Sequence, residues 1–503
     1  MPGKADSPRI LLVTPEVTYL PCGMGNIANS LNAKAGGLAD VSAALISTLF
    51  ELGADVHVAL PDYRSIFSNN RLDSVIDNSR NMIKERLPDD RIHLAQDRAF
   101  YYMNHVYSSY SWENIKISLA FQREVINNIV PRIAPDIIHC NDWMTGLVPA
   151  MARKMDIPCL FTIHNIYTVK ENMASIEDRG IDVASFWEQL YLERTPHNYE
   201  ESREYNKVDF LASGVFAAHF VNTVSHEFLM EIVEGKHDFI EESLQSELSN
   251  KYHANCAVGI LNSPETSFSP ATDDALVKKF TSANFVSGKK ENKLFLQKNL
   301  GLTIDENAPV FFWPSRLDRV QKGCGLLAEI IYDIVSHYWD EKLQIVFVAN
   351  GEYQHDFREI VRQFDLGTRV AVADFNENLS RIGYAGSDFI IMPSLFEPCG
   401  LPQMICQKYA SLPVARDTGG IHDTVEPLDL MNNTGSGFLF KTYDSSGLLW
   451  GMHQAMIFYN LPEKVKNPQI KRIMEQSCKQ FNHSATAGKY IELYEKMLKR
   501  PFI

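Results

Sequence analysis

Arg9-Ile10-Leu11-Leu12-Val13-Thr14-Pro15 reads as a short apolar strand, and Asp55-Val56-His57-Val58-Ala59-Leu60-Pro61 reads as another. Between them, Ala39 to Leu52 carries Val41, Ala44, Leu45, Leu49 and Leu52 at the spacing of one helix face, and Gly53 stops the helix. Lys34-Ala35-Gly36-Gly37-Leu38 leads straight into that helix. A strand, a glycine loop, a helix and a second strand within the first 61 residues form the unit of a parallel α/β sheet. A parallel neighbour needs a long crossover, and the helix supplies it.

The same grammar recurs. Strands ending at His139 and at Ile163 are followed by a helix-rich stretch from about Ile181 to Ala218 and by the strand-like Phe220-Val221-Asn222-Thr223-Val224. Glu265 to about Leu302 is polar and ends in a helical stretch, and Pro309-Val310-Phe311-Phe312-Trp313 opens a second series. That series continues with Leu343 to Val348, Arg369 to Ala373, Asp388 to Met392 and Leu412 to Ala415. The expected architecture is two doubly wound, Rossmann-like domains, residues 1–264 and 265–485, facing across a cleft. Residues 486–503 hold a last helix, Ala487 to Leu498.

Composition narrows the function. With 503 residues, 45% of them apolar and 22% charged, the chain can bury more than one core. The net charge of −14 comes from scattered acids, which argues against nucleic acid or an anionic membrane as partner. A small anionic substrate would need its own local cations. The polar start Met1 to Pro8 leads into an apolar run too short for a signal sequence, and no later run approaches the ~20 residues that span a bilayer. A soluble, cytoplasmic protein is expected. The eight cysteines never stand closer than seven positions apart, so no paired-cysteine zinc or redox motif is present and the thiols read as reduced.

In doubly wound sheets ligands sit outside the carboxyl ends of the strands, so the residues there decide the chemistry. Lys34 and the Gly36-Gly37 turn precede a helix whose free N–H groups and positive dipole end suit a phosphate, although a flexible turn with a surface lysine has the same pattern. Gly23-Met24-Gly25-Asn26-Ile27-Ala28 fits the dinucleotide pattern G-x-G-x-x-G/A. It lies about nine residues beyond the strand, without the tight strand-to-helix turn the motif requires. Asp142 and His164 stand at the ends of neighbouring strands, where they can hold sugar hydroxyls or a developing positive charge, or simply cap and satisfy the chain.

In the second domain Arg316 and Lys322 leave the first strand six positions apart on one loop. Arginine offers a planar fork and lysine a point charge, so the pair can hold a diphosphate without metal; solvated surface charge is the alternative. The absence of a D-x-D triplet fits neutralisation by side chains. Asp388 to Gln403 places Glu397 on a Pro- and Gly-stiffened loop between a strand and a helix, where it is either a functional acid or a helix N-terminal acid. Thr418-Gly419-Gly420 is a second glycine turn before a helix and a further phosphate cradle.

As a set these residues resemble the bacterial glycogen synthase and plant starch synthase family of retaining glycosyltransferases with the GT-B fold. Lys34-Ala35-Gly36-Gly37-Leu38-Ala39-Asp40-Val41 is similar to that family's K-T-G-G-L-A-D-V donor loop. Asn141-Asp142-Trp143, Phe161-Thr162-Ile163-His164-Asn165, Asn222-Thr223-Val224-Ser225 and Gly259-Ile260-Leu261-Asn262 follow in family order. So do Ser315-Arg316-Leu317, Gln321-Lys322-Gly323, Phe396-Glu397-Pro398-Cys399-Gly400-Leu401 and Thr418-Gly419-Gly420.

The resemblance implies transfer of glucose from ADP-glucose, a co-substrate and not a cofactor, to the 4-hydroxyl at the non-reducing end of an α-1,4-glucan, with retention and with no metal. It implies that Lys34, the Gly36-Gly37 backbone, Arg316 and Lys322 hold the diphosphate and that Glu397 contacts the donor glucose. Asp142, His164 and Asn262 would lie near the sugar, and Phe375 stands where the family has a tyrosine stacking on adenine. Cys399, Gly400, Leu401, Thr418, Gly419 and Gly420 would complete the substrate site, and the resemblance implies that the helix in residues 486–503 crosses back to the first domain.

The chain also departs from the family pattern. About a dozen extra residues lie between Tyr19 and Asn32, N-G-I-D is replaced by Asn262-Ser263-Pro264-Glu265, and Pro402 stands where threonine is frequent. Asp417 occupies a position where a second base is common, and the stretch after His164-Asn165 lacks A-Y-Q-G. Two other readings stay open. One is a GT-B transferase for UDP-glucose or a different acceptor, and the other is a weakly active, glucan-binding regulatory relative.

Overall fold

The computed structural model describes residues 7–68 and 90–503, so the first six residues of the polar start lie outside the described residues. The chain divides into two compact units. The first comprises Met1–Val224, Leu229–Leu261 and His483–Ile503, and the second comprises Ser225–Phe228 and Asn262–Asn482.

The strands of the first unit, in chain order, are β1 (Arg9–Val13), β2 (Asp55–Pro61), β3 (Ile92–Ala95), β4 (Ile137–Asn141), β5 (Cys159–Ile163), β6 (Lys170–Asn172), β7 (Lys207–Asp209), β8 (Phe220–Thr223) and β9 (Ala257–Gly259). Seven of them form one parallel sheet in the order β3-β2-β1-β4-β5-β8-β9, and β6 and β7 make a small antiparallel pair. Ile10 pairs with Val56 on one side and with Ile137 on the other. Ile10, Leu11, Leu12 and Val13 are all buried, because helices cover both faces of such a sheet and leave no polar side for alternation.

The second unit holds β10 (Val310–Trp313), β11 (Gln344–Val348), β12 (Val370–Ala373), β13 (Phe389–Met392), β14 (Leu412–Arg416) and β15 (Phe438–Phe440). They form a parallel sheet in the order β12-β11-β10-β13-β14-β15. Both sheets reverse their winding beside their first strand, between β1 and β4 and between β10 and β13. In sheets of this kind the loops after the strands on either side of the reversal are where ligands are bound.

The helix expected from Ala39 runs Gly37–Glu51, so its first turn includes the second glycine of the loop. The stretch expected to be helix-rich from Ile181 is broken into two 3-10 turns, the helix Tyr199–Tyr205, β7 and the helix Phe210–Ala217. The inserted stretch between Tyr19 and Asn32 is a packed loop. Val17 and Ala33 bridge its ends by mutual N–H to C=O bonds of 3.0 and 2.8 Å, and Leu20, Met24, Ala28 and Leu31 are buried.

The last helix, His483–Leu498, belongs to the first unit. It is tied to the sheet by buried polar groups. Tyr494 Oη lies 2.8 Å from His139 Nδ1, and Asn222 Nδ2 donates to Tyr490 Oη at 3.0 Å. His139 Nε2 meets Thr162 Oγ1 at 2.6 Å, and burial lowers this imidazole to about 3, so it is neutral at pH 7. No helix among the described residues is long and apolar enough to cross a membrane.

Candidate active site

In the second unit the chain leaves β13 through Pro393-Ser394-Leu395-Phe396-Glu397 and enters the helix Pro402–Lys408 with proline in its first turn, where a missing N–H costs nothing. Leu401 holds the cap position, so Glu397 lies outside the first turn and is not a helix-terminal acid. Its side chain is nearly buried, and Oε2 accepts from Lys322 Nζ at 2.6 Å and from Ser394 Oγ at 3.0 Å.

Lys322 comes from the loop after β10. Asp318 Oδ1 shapes that loop by accepting from Gln321 N–H at 2.7 Å and from the N–H groups of Val320 and Lys322 at 3.2 Å. The two loops are then stitched together. Leu395 N–H donates to Gln321 O at 2.8 Å, Gln321 Nε2 donates to Phe396 O at 3.2 Å, and Arg416 Nη1 donates to Leu395 O at 2.6 Å.

Glycines permit this close packing. Gly323 has φ +71°, and a Cβ there would collide with Pro393 O; a Cβ at Gly420 would collide with Cys399 O. Gly419, at φ +45°, lies against Glu397 O, and Gly420 N–H donates to that oxygen at 2.8 Å. The Thr418-Gly419-Gly420 turn, expected as a phosphate cradle, therefore spends its Gly420 donor on the Glu397 backbone and serves as the floor of the loop.

Arg316, also on the loop after β10, is exposed and makes no ion pair or hydrogen bond among the described residues. Phe375 is 57% exposed just beyond β12, with its N–H held by Asn350 Oδ1 at 2.9 Å, so its ring is an open flat face. Asn262 is buried and its Oδ1 has no hydrogen-bond partner among the described residues. Its backbone N–H is directed at the Cys399 thiol, which burial pushes up to about 12, so Cys399 stays protonated. Gly400, at φ +70°, turns the chain toward Leu401.

In the first unit Lys34 Nζ pairs with Asp40 Oδ2 at 2.8 Å and stays half exposed. The backbone of the next residues is already engaged, because Glu16 Oε2 accepts from Ala35 N–H at 2.7 Å and from Gly36 N–H at 2.9 Å. Gly36 N–H, expected to face a phosphate, is thus taken by a carboxylate of the chain. What Gly36 and Gly37 offer is room, since among the described residues a Cβ at either would meet nothing within 4 Å.

Asp142 follows β4 with φ +56°, an unfavourable backbone for a residue other than glycine. Its Oδ1 accepts from His164 N–H at 2.7 Å and its Oδ2 from Asn165 Nδ2 at 3.2 Å, so it holds the loop after β5. Burial raises its pKa to about 7, aided by the nearby charge of Glu16 and opposed by the bonds from His164 and Asn165. His164 is lowered to about 3 by burial and is neutral. Its Nε2 meets Asn141 Oδ1 at 2.9 Å, and Asn141 Nδ2 donates to Val13 O, so the proton sits on Nε2 and Nδ1 is an acceptor.

Glu16, Tyr107, which donates its hydroxyl to Glu16 Oε1 at 3.0 Å, Ser394 and Arg416 carry no motif that marks them as site residues. The one signal was an acid just past the end of a buried strand, at Glu16. Among the described residues no three His, Cys, Asp or Glu side chains gather to hold a metal ion.

The family model of the starch synthase catalytic domain matches residues 9–247, and that of glycosyl transferases group 1 matches residues 308–456. A glycogen synthase of Moorella thermoacetica is 32% identical over 508 residues, covering 98% of this chain and 97% of that protein. The chain belongs to the glycogen synthase family. A glycogen synthase of Exiguobacterium sibiricum is 31% identical, covering 92% and 95% of the two chains. The catalytic domain of Starch Synthase IV from Arabidopsis thaliana, solved bound to ADP and acarbose, superposes with a TM-score of 0.77 at 25% identity over 98% of this chain and 100% of that one. This member of the glycogen synthase family is a glycosyltransferase of the GT-B fold, with a nucleotide sugar as donor and a glucan as acceptor.

Proposed function

We propose that the enzyme transfers glucose from ADP-glucose to the non-reducing 4-hydroxyl of an α-1,4-glucan with retention, and without a metal or other cofactor. The observation that carries this reading is the buried Lys322–Glu397 pair on loops locked by three glycines. An ammonium held at a fixed point is what a departing diphosphate requires, because donors already in place need no reorganisation as charge develops. Lys322 and the exposed Arg316 hold the diphosphate, and Phe375 gives the base a flat ring to stack on. Support for the adenine nucleotide comes from the Arabidopsis neighbour, which was solved with ADP.

In the reaction the bond from C1 of the donor glucose to the diphosphate oxygen breaks on the face where the glucan O4 bonds to C1. The O4 proton passes to the leaving diphosphate oxygen, giving ADP and a glucan one glucose longer. Glu397 steadies the positive charge that grows at C1 while Lys322 steadies the leaving group. In the first unit His164 Nδ1 and the Asp142 carboxylate accept hydrogen bonds from sugar hydroxyls, and Lys34 adds positive charge. Asn262 Oδ1, buried without a partner, suits a donor hydroxyl. Free thiols, with Cys22 and Cys478 exposed, suit a reducing compartment, and the cytoplasm is the proposed location.

The test is nucleotide release from ADP-glucose and from UDP-glucose on glycogen or maltooligosaccharide, with and without EDTA. Faster, EDTA-insensitive release from ADP-glucose with glucan elongation is expected. Preference for UDP-glucose would move the assignment to that donor, and no turnover on either would favour a glucan-binding relative.

A further inference from the structure

Glu16 lies three residues past β1 and is 2% exposed. Its Oε2 receives the N–H groups of Ala35 and Gly36, and its Oε1 receives Tyr107 Oη–H at 3.0 Å. Its backbone is fixed as well, since Thr14 Oγ1 donates to Glu16 O at 3.1 Å. Ala35 and Gly36 are the last residues before the helix Gly37–Glu51, and Gly36 is its N-terminal cap. Donors at this end of a helix are satisfied by capping side chains, by water or by a bound anion. Here a buried side chain of the same chain receives them.

Little else restrains the turn. Gly36 supplies no side-chain cap, Gly36 and Gly37 have open space around them, and Lys34 Nζ reaches forward to Asp40. Two adjacent glycines sample many conformations, so a turn built on them keeps one shape only if its N–H groups are held. Both bonds that hold it end on one carboxylate oxygen, and Tyr107 fixes the other.

We propose that Glu16 is the positioning residue of the Lys34–Gly37 loop, an internal acceptor that sets the turn before the nucleotide sugar arrives. The inference rests on the donor reading above and deepens it. The loop contributes shape and room to donor binding, and the N–H groups of Ala35 and Gly36 stay on Glu16 while the diphosphate is neutralised by cations. Without Glu16 the turn would have to be ordered in each binding event, and that cost would fall on donor affinity.

The experiment compares wild type with Glu16→Asp, Glu16→Gln and Glu16→Ala. It measures ADP affinity by calorimetry, KM and kcat for ADP-glucose, and hydrogen exchange of the peptide containing Ala35 and Gly36. Aspartate keeps the charge but falls one methylene short, whereas glutamine keeps an acceptor oxygen at full reach. Glu16→Asp and Glu16→Ala are expected to raise donor KM and ADP Kd about tenfold or more, with kcat at saturating donor within about threefold. Exchange at Ala35 and Gly36 should be slow in wild type and fast in these two variants, and Glu16→Gln should restore both readouts.

Unchanged donor KM and unchanged exchange in Glu16→Asp would overturn the proposal, as would Glu16→Gln behaving like Glu16→Ala. A merely structural role would lower thermal stability and leave the KM-to-kcat split unaltered. If wild type bound no ADP, the donor reading would fall, and the exchange arm would still decide whether Glu16 fixes the turn.

Discussion

Lys322 Nζ stands 2.6 Å from Glu397 Oε2, with only 13% and 7% of the two side chains exposed. Desolvating two charges is costly, and such a pair often adds nothing over apolar residues of the same size. Its value lies in place. Ser394 Oγ shares the same oxygen, and Gly420 N–H holds the Glu397 backbone, so a carboxylate and an ammonium are presented side by side at the carboxyl end of the second sheet.

Replacing Lys322 by alanine should lower kcat at least ~10²-fold, because the diphosphate loses a preorganised cation. It also strands a nearly buried carboxylate, so unfolding free energy should fall by about 3 kcal/mol. Glu397→Gln should behave differently. The amide still accepts from Lys322 and Ser394, so its stability should fall less than that of Lys322→Ala while turnover falls by ~10² or more. Urea titration with steady-state rates checks both. An active, stable Glu397→Gln would remove that residue from the chemistry.

Asp142 predicts a pH profile. Its folded-state pKa of about 7 lies above the ordinary value of 3.8. Only the ionised form accepts hydrogen bonds at both oxygens, so kcat/KM should rise from about pH 6 to 8, a limb that Asp142→Asn should lack. The stability sign is opposite. Between pH ~4 and 7 the folded chain holds a proton at Asp142 that the unfolded chain has lost, so this group's contribution to stability falls as pH rises through that window. A rate profile flat from pH 6 to 8 in wild type would contradict the assignment.

The last helix makes a third prediction. Tyr494→Phe leaves the buried His139 Nδ1 without its partner, and Tyr490→Phe leaves Asn222 Nδ2 with a long bond to Thr223 O at 3.4 Å. Tyr494→Phe should cost about 1–3 kcal/mol, the penalty of an unsatisfied buried polar group, and Tyr490→Phe less, with kcat little altered in either. Chemical denaturation measures it, and the pair should be less than additive because both phenols serve one His139–Thr162–Asn222 network.

The buried strands were legible because helices cover both sheet faces, so Ile10-Leu11-Leu12-Val13 and Phe389-Ile390-Ile391-Met392 read as unbroken apolar runs. Short or broken elements were not. β9 and β15 have three residues each, and β3 is interrupted by His93, leaving no periodic signal. In the site, Lys322 and Glu397 were legible by type and loop context, but partner choice was not. Nothing in the spelling of Gly36 says that its N–H goes to Glu16, 20 residues earlier. The positive φ of Asp142 was equally hidden, since it follows from the way β4 hands over to the next turn.

The two glycine turns, alike in sequence, differ in why they need glycine, and a paired substitution separates the reasons. A Cβ at Gly420 would collide with the Cys399 backbone, which has no flexible end to yield. Gly420→Ala should therefore cost about 1–3 kcal/mol of stability and displace the loop that carries Glu397. Gly36, with φ −151° and no atom within 4 Å of a Cβ, tolerates alanine in the unliganded chain. Gly36→Ala should melt within about 2 °C of wild type, as expected for a substitution without strain or lost contacts. Its effect should appear only when the donor approaches, as a raised KM for ADP-glucose, because the methyl group fills the room the ligand would use. Thermal melts and donor titrations of the two variants decide it. A Gly36→Ala enzyme with normal melting and normal donor KM would show that this turn does not approach the donor.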